Sequence, residues 1–184
     1  MIRLIAFLRA INVGGHVVKV EKLRDCFREP GFSNVETFIA SGNVIFESER
    51  TDEKKLEKKI EDHLLKSLGY PVAAFIRTAA EVAEIARHKP FSETDLSAAP
   101  TLVVGFLKDP LSSYSQKSLS GLATDIDAFS IKGREIFWLC RKKQSESKFS
   151  NAVFEKRLSL QSTFRSFSTI VNIDHRLKSL EKES

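Results

Sequence analysis

Hydrophobic and polar positions along the first 78 residues alternate between the period of a strand and the period of a helix. Short apolar runs predict strands, and an apolar side chain at every fourth position of 52–69 predicts an amphipathic helix. The predicted elements are, in chain order, a strand at 2–9, a helix at 20–27, strands on either side of Gly42-Asn43, the helix at 52–69 and a strand at 70–77. This β-α-β-β-α-β order is typical of a ferredoxin-like half.

Turn and cap residues mark the ends of these predicted elements. The first helix ends before Pro30, because proline cannot continue a helix. Gly42-Asn43 predicts a two-residue hairpin turn in which the glycine takes the first positive φ. Thr78 and Glu81 form the pattern of a capping box, which predicts a connecting helix from this point.

The same succession of patterns recurs after residue 100 and predicts an internal repeat. Residues 101–110 resemble residues 3–12, and Gly133 separates two strands as Gly42 does in the first half. The remaining predicted elements are a weak helix at 112–123, a helix from Lys148 to Leu158 with Ser147 as N-cap, a strand at 162–167 and a closing helix at 170–184. We therefore predict an α+β fold of two tandem ferredoxin-like β-α-β-β-α-β halves packed together, with a C-terminal helix.

Residues 1–78 are the predicted first ferredoxin-like half, 79–100 a connecting helix and loop, and 101–184 the second half with the C-terminal helix. A chain of 184 residues with 42% hydrophobic and 29% charged side chains suits two packed globular halves. No apolar run approaches about 20 residues, so we predict no membrane partner. Cys26 and Cys140 are isolated, which favours reduced thiols in a cytoplasmic protein.

Basic residues are concentrated in the C-terminal part of the chain. The formal net charge is +5, from 29 Lys and Arg against 24 Asp and Glu, and residues 130–165 hold nine cations and three acids. One interpretation is a patch that faces the phosphates of a nucleic acid or an anionic small molecule. The other is a solvated loop, because residues 141–148 also have loop composition.

Familiar catalytic and metal-binding motifs are absent from the sequence. The four histidines are scattered, and no CxxC, HExxH or paired acidic motif has metal-ligand spacing. There is no GxSxG elbow, and neither cysteine has a histidine partner in sequence. We therefore predict no metal and no cofactor. The catalytic residues are unknown, and the sequence leaves open whether the protein is an enzyme.

The stretch FLRAINVGGH brings a cation, an amide and two glycines to the end of the first predicted strand. Arg9 extends an apolar face of that strand, and an isolated buried charge there needs a partner. Gly14 and Gly15 permit main-chain N–H groups to converge, and Asn12 adds a neutral donor and acceptor. These four residues are candidate ligand-binding residues.

His16 and Lys19 add positive charge just before the first predicted helix, whose N-terminus favours anions. The spacing of the glycines matches neither the GxxxxGK[ST] loop nor the GxGxxG loop. Two interpretations are open at this point. The segment is either a tight turn with a structural pair between arginine and a carboxylate, or a cradle for an anion such as phosphate.

Further candidate ligand-binding residues follow along the chain: Ser41, Asn43, Arg77, Lys148 and Arg165. Ser41 and Asn43 would present a hydroxyl and an amide at the hairpin tip, although turn sterics alone also explain the Gly-Asn pair. Arg77 ends its strand as Arg9 does, and its alternative role is a surface salt bridge beside Glu81. Lys148 opposes the dipole of its predicted helix, which favours an anionic partner or solvation.

Fourteen phenylalanines are divided by the pattern into two groups. Those inside apolar strands are expected in the core: Phe7, Phe46, Phe75, Phe106 and Phe137. Phe38, Phe129 and Phe167 are instead candidates for the open face of a sheet, where ferredoxin-like RNA-binding proteins stack bases. No RNP-type motif accompanies them, so an RRM is not predicted.

The chain resembles the DUF1697 family, which comprises uncharacterised bacterial proteins of about this length. The resemblance rests on LRAINVGG, ETFIASGNVIFES, FIRTAAEV, HKPF and SKFSNAVFEKRL, and it covers nearly the whole chain. Family members commonly end in TRNWNT, where this chain has FRSFST. Arg165 and Thr169 are kept, whereas Ser166, Phe167 and Ser168 replace two asparagines and a tryptophan. The resemblance implies a fold and a shared surface, and the replacements weaken amide-dependent recognition at this segment.

The sequence leaves three functions open. The charge distribution favours a binding module for an anionic ligand, either nucleic acid or a nucleotide-like metabolite, at the junction of the two halves. The alternatives are a small-molecule enzyme that acts on a phosphorylated or carboxylated substrate, and a structural or interaction protein without a ligand. The sequence does not give the oligomeric state.

Overall fold

A computed structural model describes residues 1–12, 15–38, 42–49 and 52–183. The chain divides into two compact units. Unit 1 comprises Met1–Ile85 and Asn172–Ser184, and unit 2 comprises Ala86–Val171. Part of the C-terminal helix therefore belongs to unit 1, whereas the sequence pattern placed it with the second half.

Unit 1 has the predicted β-α-β-β-α-β order. Its elements are β1 (Ile2–Arg9), α1 (Val20–Arg28), β2 (Ser33–Thr37), β3 (Asn43–Ser48), α2 (Glu53–Leu68) and β4 (Ala73–Thr78), followed by α3 (Ala79–Arg87). The four strands form an antiparallel sheet in the order β2-β3-β1-β4. This is the strand order expected of a ferredoxin-like half, and it confirms the predicted fold class.

The core of unit 1 lies between one face of this sheet and the two helices. Leu4, Ala6 and Leu8 pack with buried side chains of α1 and α2 because alternate residues of β1 share a face. The opposite face is also buried, since Ile5 and Phe7 are fully inaccessible. The continuous apolar run of β1 thus reflects a strand covered on both sides.

Local sequence signals set both ends of α2 and the start of α3 in unit 1. The Asp52 side chain accepts a hydrogen bond from the Lys55 N–H and caps α2, and Gly69 ends it in a left-handed conformation. The capping box is present as well. The Thr78 N–H donates to Glu81 Oε2 over 2.8 Å, and the Glu81 N–H donates to Thr78 Oγ1 over 3.1 Å.

Unit 2 repeats the element order of unit 1 after a short helix that the sequence pattern did not predict. Its elements are α4 (Glu93–Ala98), β5 (Thr101–Phe106), α5 (Ser113–Ser120), β6 (Asp127–Lys132), β7 (Glu135–Cys140), a 3₁₀ turn (Gln144–Glu146), α6 (Asn151–Leu158) and β8 (Thr163–Ser166). The sheet order is β6-β7-β5-β8. The closing helix, α7 (Phe167–Lys182), begins directly after β8.

The two sheets have matching registers. Ile2 pairs with Ser48 at the start of β1, and Thr101 pairs with Cys140 at the start of β5. The strand register therefore makes Ile2 equivalent to Thr101. The sequence match of 3–12 with 101–110 instead aligns Arg3 with Thr101, which differs by one residue. A shift of one residue exchanges the two faces of a strand, so the register, and not the sequence match, decides which residues are equivalent.

The predicted two-residue hairpin at Gly42-Asn43 is wrong. Gly42 has the expected positive φ of 81°, but Asn43 is the first residue of β3. The connection instead closes between Phe38 and Asn43, where the Phe38 N–H donates to the Asn43 carbonyl over 2.9 Å. The Gly-Asn pair does not form the turn because Gly42 packs against β1, where the Leu8 N–H donates to the Gly42 carbonyl. Ser41 lies outside the described residues.

The predicted start of α6 is also wrong. Its N-cap is Ser150, whose hydroxyl accepts from the Val153 N–H, and not Ser147. Ser147 instead donates to both carboxylate oxygens of the buried Asp127. Lys148 therefore precedes the helix, and its predicted opposition to the helix dipole does not apply.

Aromatic residues fill the core of unit 2. Trp138 and Phe149 meet edge to face with ring centroids 4.7 Å apart, and the Trp138 indole donates to Asp127 Oδ1 over 2.8 Å. Phe129 packs on Phe149 at 4.7 Å, on the helix-facing side of the sheet. The expectation of Phe129 on an open sheet face is therefore wrong. The strand phenylalanines predicted for the core are fully buried.

Candidate functional site

The segment after β1 forms a loop that is organised by its own polar groups. Ala10 has a positive φ of 61°, which is strained for a residue with a Cβ, and Gly15 has a φ of 85°. The Asn12 side-chain oxygen accepts a hydrogen bond from the Val18 N–H over 2.9 Å. The Asn12 side chain therefore stabilises the loop. Gly14 lies outside the described residues.

An aromatic stack closes one side of this loop. The His16 ring lies on the Tyr70 ring with centroids 4.1 Å apart and an interplanar angle of 21°. The Tyr70 hydroxyl donates to the Ile11 carbonyl over 2.8 Å, which fixes the ring against the end of β1. Burial raises the pKa of Tyr70, so the phenol remains a neutral donor at neutral pH.

The loop leads into a helix N-terminus that has no side-chain cap. Lys19 occupies the N-cap position of α1 and makes no capping hydrogen bond. The first N–H groups of a helix have no partner within the helix, and the helix dipole makes this end positive. Glu21 in the first turn is engaged elsewhere, since Arg28 and Arg24 bond to its carboxylate over 2.6 and 3.2 Å. The Arg28 hydrogen bond lowers the pKa of Glu21.

These groups surround a cavity of about 420 Å³, which we call the loop site. Its lining residues are His16, Val17, Val18, Lys19, Lys22, Ser67, Leu68 and Tyr70. Within the described chain, neither Lys19 nor Lys22 has an acidic side chain at salt-bridge distance. The loop site thus combines two cations, an uncapped helix N-terminus and an aromatic stack.

A larger opening in unit 1, of about 540 Å³, is lined by charged residues that form ion pairs. Arg3 binds Glu47 over 2.7 Å, and Arg176 binds both oxygens of Glu36 over 2.9 and 2.8 Å. Arg28, which also lines the opening, pairs with Glu21. Because these charges satisfy one another, the opening offers little to an ionic ligand, and we assign it a structural role.

Two predicted residues of unit 1, Arg9 and Arg77, lie on the sheet face opposite α1 and α2 and are not among the residues that line the loop site. Arg9 follows Ile5 and Phe7 on that face of β1, and Arg77 pairs with Ile5. Arg77 is fully buried and donates to the Ile76 carbonyl over 2.7 Å. The interpretation of Arg77 as a surface salt bridge is therefore wrong.

Asn43 has a structural role in the hairpin. Its side chain is only 3% exposed, and its amide nitrogen donates to the Phe38 carbonyl over 3.1 Å. Together with the main-chain bond in the other direction, this contact closes the connection between β2 and β3. Asn43 therefore stabilises the turn and presents no amide to a ligand in solution.

The predicted residues of unit 2 are Arg165 and Lys148. Arg165, in β8, donates to Thr163 Oγ1 over 2.8 Å and to the Phe164 carbonyl over 2.9 Å. Burial lowers the pKa of Arg165 to about 10, so its guanidinium is charged at neutral pH. Lys148 is exposed in the connection before α6. Of the basic residues at 130–165, Arg141 is paired with Asp95 over 2.9 Å.

Sequence reasoning found His16 and Lys19 at the loop site but missed Lys22 and Tyr70. Lys22 belongs to the helix pattern, and Tyr70 follows the glycine that ends α2. Their approach depends on packing the start of α1 beside the end of α2. A lysine on the polar face of an amphipathic helix carries no sequence signal of such a role.

Two observations bear on enzyme chemistry. Burial raises the pKa of the thiols of Cys26 and Cys140, which disfavours the reactive thiolate of each. Among the described residues, no three His, Cys, Asp or Glu side chains are grouped to hold a metal ion.

The described part of the chain contains no helix long and apolar enough to cross a membrane.

Comparison with known proteins gives a family and a fold. Residues 1–137 match the family described as "Protein of unknown function (DUF1697)". The chain is similar in structure to the conserved bacterial protein SP0830 from Streptococcus pneumoniae, with a TM-score of 0.75 and 22% identity. The match covers 97% of this chain and 99% of that one. No curated protein matches the sequence.

Proposed function

Because the chain belongs to the DUF1697 family, whose function is unknown, we propose a function from its own residues: unit 1 binds a nucleotide-like, anionic small molecule at the loop site. One observation carries the proposal. Lys19 and Lys22, which have no acidic partner in the described chain, line the same cavity as the uncapped N-terminus of α1. A cation placed at the positive end of a helix is unfavourable unless an anion or water compensates it.

The phosphate end of the ligand lies at the start of α1 in this proposal. Main-chain N–H groups at the helix N-terminus and the ammonium groups of Lys19 and Lys22 supply donors for its oxygens. Each charge-assisted hydrogen bond is worth about 1.5–3 kcal/mol, so three of them at the upper end of this range correspond to micromolar binding. Gly15, with its positive φ and open surroundings, lets the main chain approach the anion closely.

The planar end of the ligand lies beside the aromatic stack. His16 and Tyr70 present nearly parallel rings, and a nucleobase stacks on such rings with offset geometry. Val17 and Leu68 supply apolar contacts. A cavity of about 420 Å³ falls within the range of about 300–1,000 Å³ that is typical of small-molecule sites, which favours a nucleotide over a nucleic acid strand.

The test is calorimetric titration with a panel of nucleoside mono-, di- and triphosphates, and with inorganic phosphate alone. We expect at least one nucleotide to bind saturably, and the Lys19→Glu/Lys22→Glu double variant to bind it at least about tenfold more weakly. Both positions are exposed, and glutamate in the first turn suits the helix dipole, so the variant is expected to fold and melt at or above the wild-type temperature.

The matched control is Lys117→Glu/Lys182→Glu, which makes the same charge change at exposed positions outside the loop site. It is expected to keep wild-type affinity. Equal loss in both double variants would show a general charge effect and contradict the loop site. Absence of nucleotide binding, together with salt-sensitive binding of single-stranded RNA, would favour nucleic acid instead.

A further inference from the structure

The outer edge of β4 in unit 1 is closed by three carboxylates. The main-chain N–H groups of Ala74, Ile76 and Thr78 point away from β1 and donate to glutamates of the flanking helices. Their acceptors are Glu61 at 2.9 Å, Glu57 at 3.0 Å and Glu81 at 2.8 Å. Every outward donor on this edge strand is thus satisfied, which prevents another strand from pairing with it.

The equivalent edge in unit 2 is β8, and its outward residues follow from the register. The Leu107 N–H donates to the Arg134 carbonyl, so alternate residues of β5 turn their donors towards β7. Val104 and Phe106 therefore bond to β8, where they pair with Arg165 and Thr163. It follows that the N–H groups of Phe164 and Ser166 point outward, as those of Ile76 and Thr78 do.

Only the first of the three closures is retained in unit 2. Glu155 accepts from the Ser162 N–H over 2.8 Å, as Glu61 does from Ala74. Four residues earlier on the helix, the position of Glu57 is taken by Asn151, whose side chain bonds to Ser162 instead. Thr169 occupies the position equivalent to Glu81, and it has no carboxylate that could accept a hydrogen bond from the Ser166 N–H.

Two outward donors of β8 have no acceptor within the described part of the chain. No described side chain accepts from the main-chain N–H of Phe164 or Ser166. Both residues line a cavity of about 510 Å³ in unit 2, together with Trp138 and Phe149. The remaining lining residues are Val103, Gln144, Ser145, Ser150, Asn151 and Arg165. An aromatic pocket thus adjoins a row of spare main-chain donors.

Basic residues adjoin the open part of this edge, where Arg165 lines the cavity, whereas the carboxylate of Glu155 is bonded to the Ser162 N–H. Lys143 and Lys148 are exposed and flank, in sequence, the residues that line the cavity. Within the described chain neither ammonium group has an acidic partner. An anionic segment is therefore the complementary one, and its attraction is strongest at low salt.

We propose that the outer edge of β8 binds a short, extended acidic peptide, which adds to the sheet of unit 2 and inserts one apolar side chain into the adjoining cavity. The N–H groups of Phe164 and Ser166 donate to peptide carbonyls, as in other cases of strand addition. The cavity selects an aromatic or branched side chain, and Lys143 and Lys148 favour acidic neighbours. Glu155 limits the paired segment to the residues after Ser162.

The test uses a set of fluorescein-labelled octapeptides in which glutamate alternates with phenylalanine, leucine or valine. Fluorescence polarisation is expected to show saturable binding for at least one peptide, and methylation of its main-chain nitrogens on alternate residues is expected to abolish it. Amide exchange measured by NMR is expected to be faster for Phe164 and Ser166 than for Ile76 and Thr78, and to slow on peptide binding.

Two protein variants install the closures found in unit 1. Asn151→Glu and Thr169→Glu place carboxylates where Glu57 and Glu81 stand, and each is expected to weaken peptide binding about tenfold. Thr169→Glu also completes a capping box with Ser166, so it is expected to stabilise the fold while it blocks the edge. If Asn151→Glu fails to fold, Thr169→Glu alone tests whether closing the edge of β8 weakens peptide binding.

A matched control for Asn151→Glu is Ala152→Glu, which adds the same charge at the adjacent exposed position of α6. The control for Thr169→Glu is Asn172→Glu, at an exposed position further along α7, because the hydroxyl of the adjacent Ser168 is 3.0 Å from that of Ser166. Both controls are expected to bind the peptide nearly as wild type does. If no peptide of the set binds at about 1 mM, or if closure variants and controls bind alike, the proposal is overturned.

Discussion

At the scale of the residue, equivalent positions in the two sheets compensate one another in size. Ala6 pairs with Ile76 in unit 1, and the corresponding pair in unit 2 is Gly105 with Phe164. A Cβ added to Gly105 would lie 2.6 Å from the Phe164 ring. The glycine is therefore required by the larger partner, and not by its own φ, which lies outside the left-handed region.

This pair gives a prediction about stability. We expect Gly105→Ala to lower the free energy of unfolding by about 1–3 kcal/mol, because the added methyl overpacks against the Phe164 ring. In a Phe164→Ile background, which restores the pair found in unit 1, the same change is expected to cost markedly less. Urea unfolding of the four proteins of this cycle measures the coupling, and strict additivity would contradict the contact.

At the scale of the element, a cross-strand ion pair joins β1 to β3. Arg3 and Glu47 face each other in the register and bond through Nε and Nη2 over 3.1 and 2.7 Å. Asn34 in β2 donates to the second carboxylate oxygen over 2.8 Å. The hydrogen bonds from Asn34 and Arg3 lower the pKa of Glu47, because both stabilise the ionised form.

The lowered pKa predicts how stability depends on pH. The pKa of Glu47 is lower in the folded protein than the value of about 4.3 expected in the unfolded chain. The ionised carboxylate therefore stabilises the fold fully at pH values above about 4.3, and this contribution is lost as the pH falls through the lower pKa of the folded state. We expect wild type to exceed Glu47→Gln in unfolding free energy at pH 7, and the difference to shrink below about pH 4. Urea unfolding at stepped pH checks this, and a difference that stays constant down to pH 2 would contradict it.

At the scale of the whole molecule, the chain returns to unit 1 after completing unit 2. Residues 172–184 belong with the first 85 residues, and Ile173 and Leu177 of α7 are buried. Arg176 binds Glu36 of β2 through two hydrogen bonds. The C-terminal segment is thus part of the support of β2, which is otherwise an edge strand with a single neighbour.

This return predicts the effect of truncation. A chain that ends at residue 171 loses Leu177 and the Arg176–Glu36 pair, so we expect the amides of β2 to exchange faster, while those of β7 keep their protection. A chain that ends at residue 180 retains both contacts and serves as the control. Unchanged exchange in β2 after the longer truncation would contradict the supporting role.

Much of the fold was predictable because it follows from local pattern. The period of Leu56, Ile60 and Leu64 gave α2, and the Thr78–Glu81 spacing gave the start of α3. The errors arose where a local signal competed with packing. The Gly42-Asn43 pair predicts a hairpin turn, whereas Gly42 packs on β1. Ser147 has the pattern of a helix cap, whereas its hydroxyl bonds to the buried Asp127.

The candidate sites were less predictable, because they depend on which face of an element a side chain occupies. Arg9 and the glycines adjoin in sequence, yet Arg9 lies on the sheet face opposite the helices. The loop site instead joins Lys22 of α1 to Tyr70, which are 48 positions apart. Their approach depends on how α1 packs beside the end of α2, which no local pattern along the sequence fixes.

By itself the sequence determined most of the element order, the start of α3 and the family, because periodicity and the Thr78–Glu81 capping box are local properties that neighbouring residues decide. Only the tertiary structure decided which charges lack partners. Whether a lysine pairs with an acid, or a strand edge meets a glutamate, depends on contacts between residues distant in the chain. The closed edge of β4 and the open edge of β8 differ for that reason, although their strands have the same order and register.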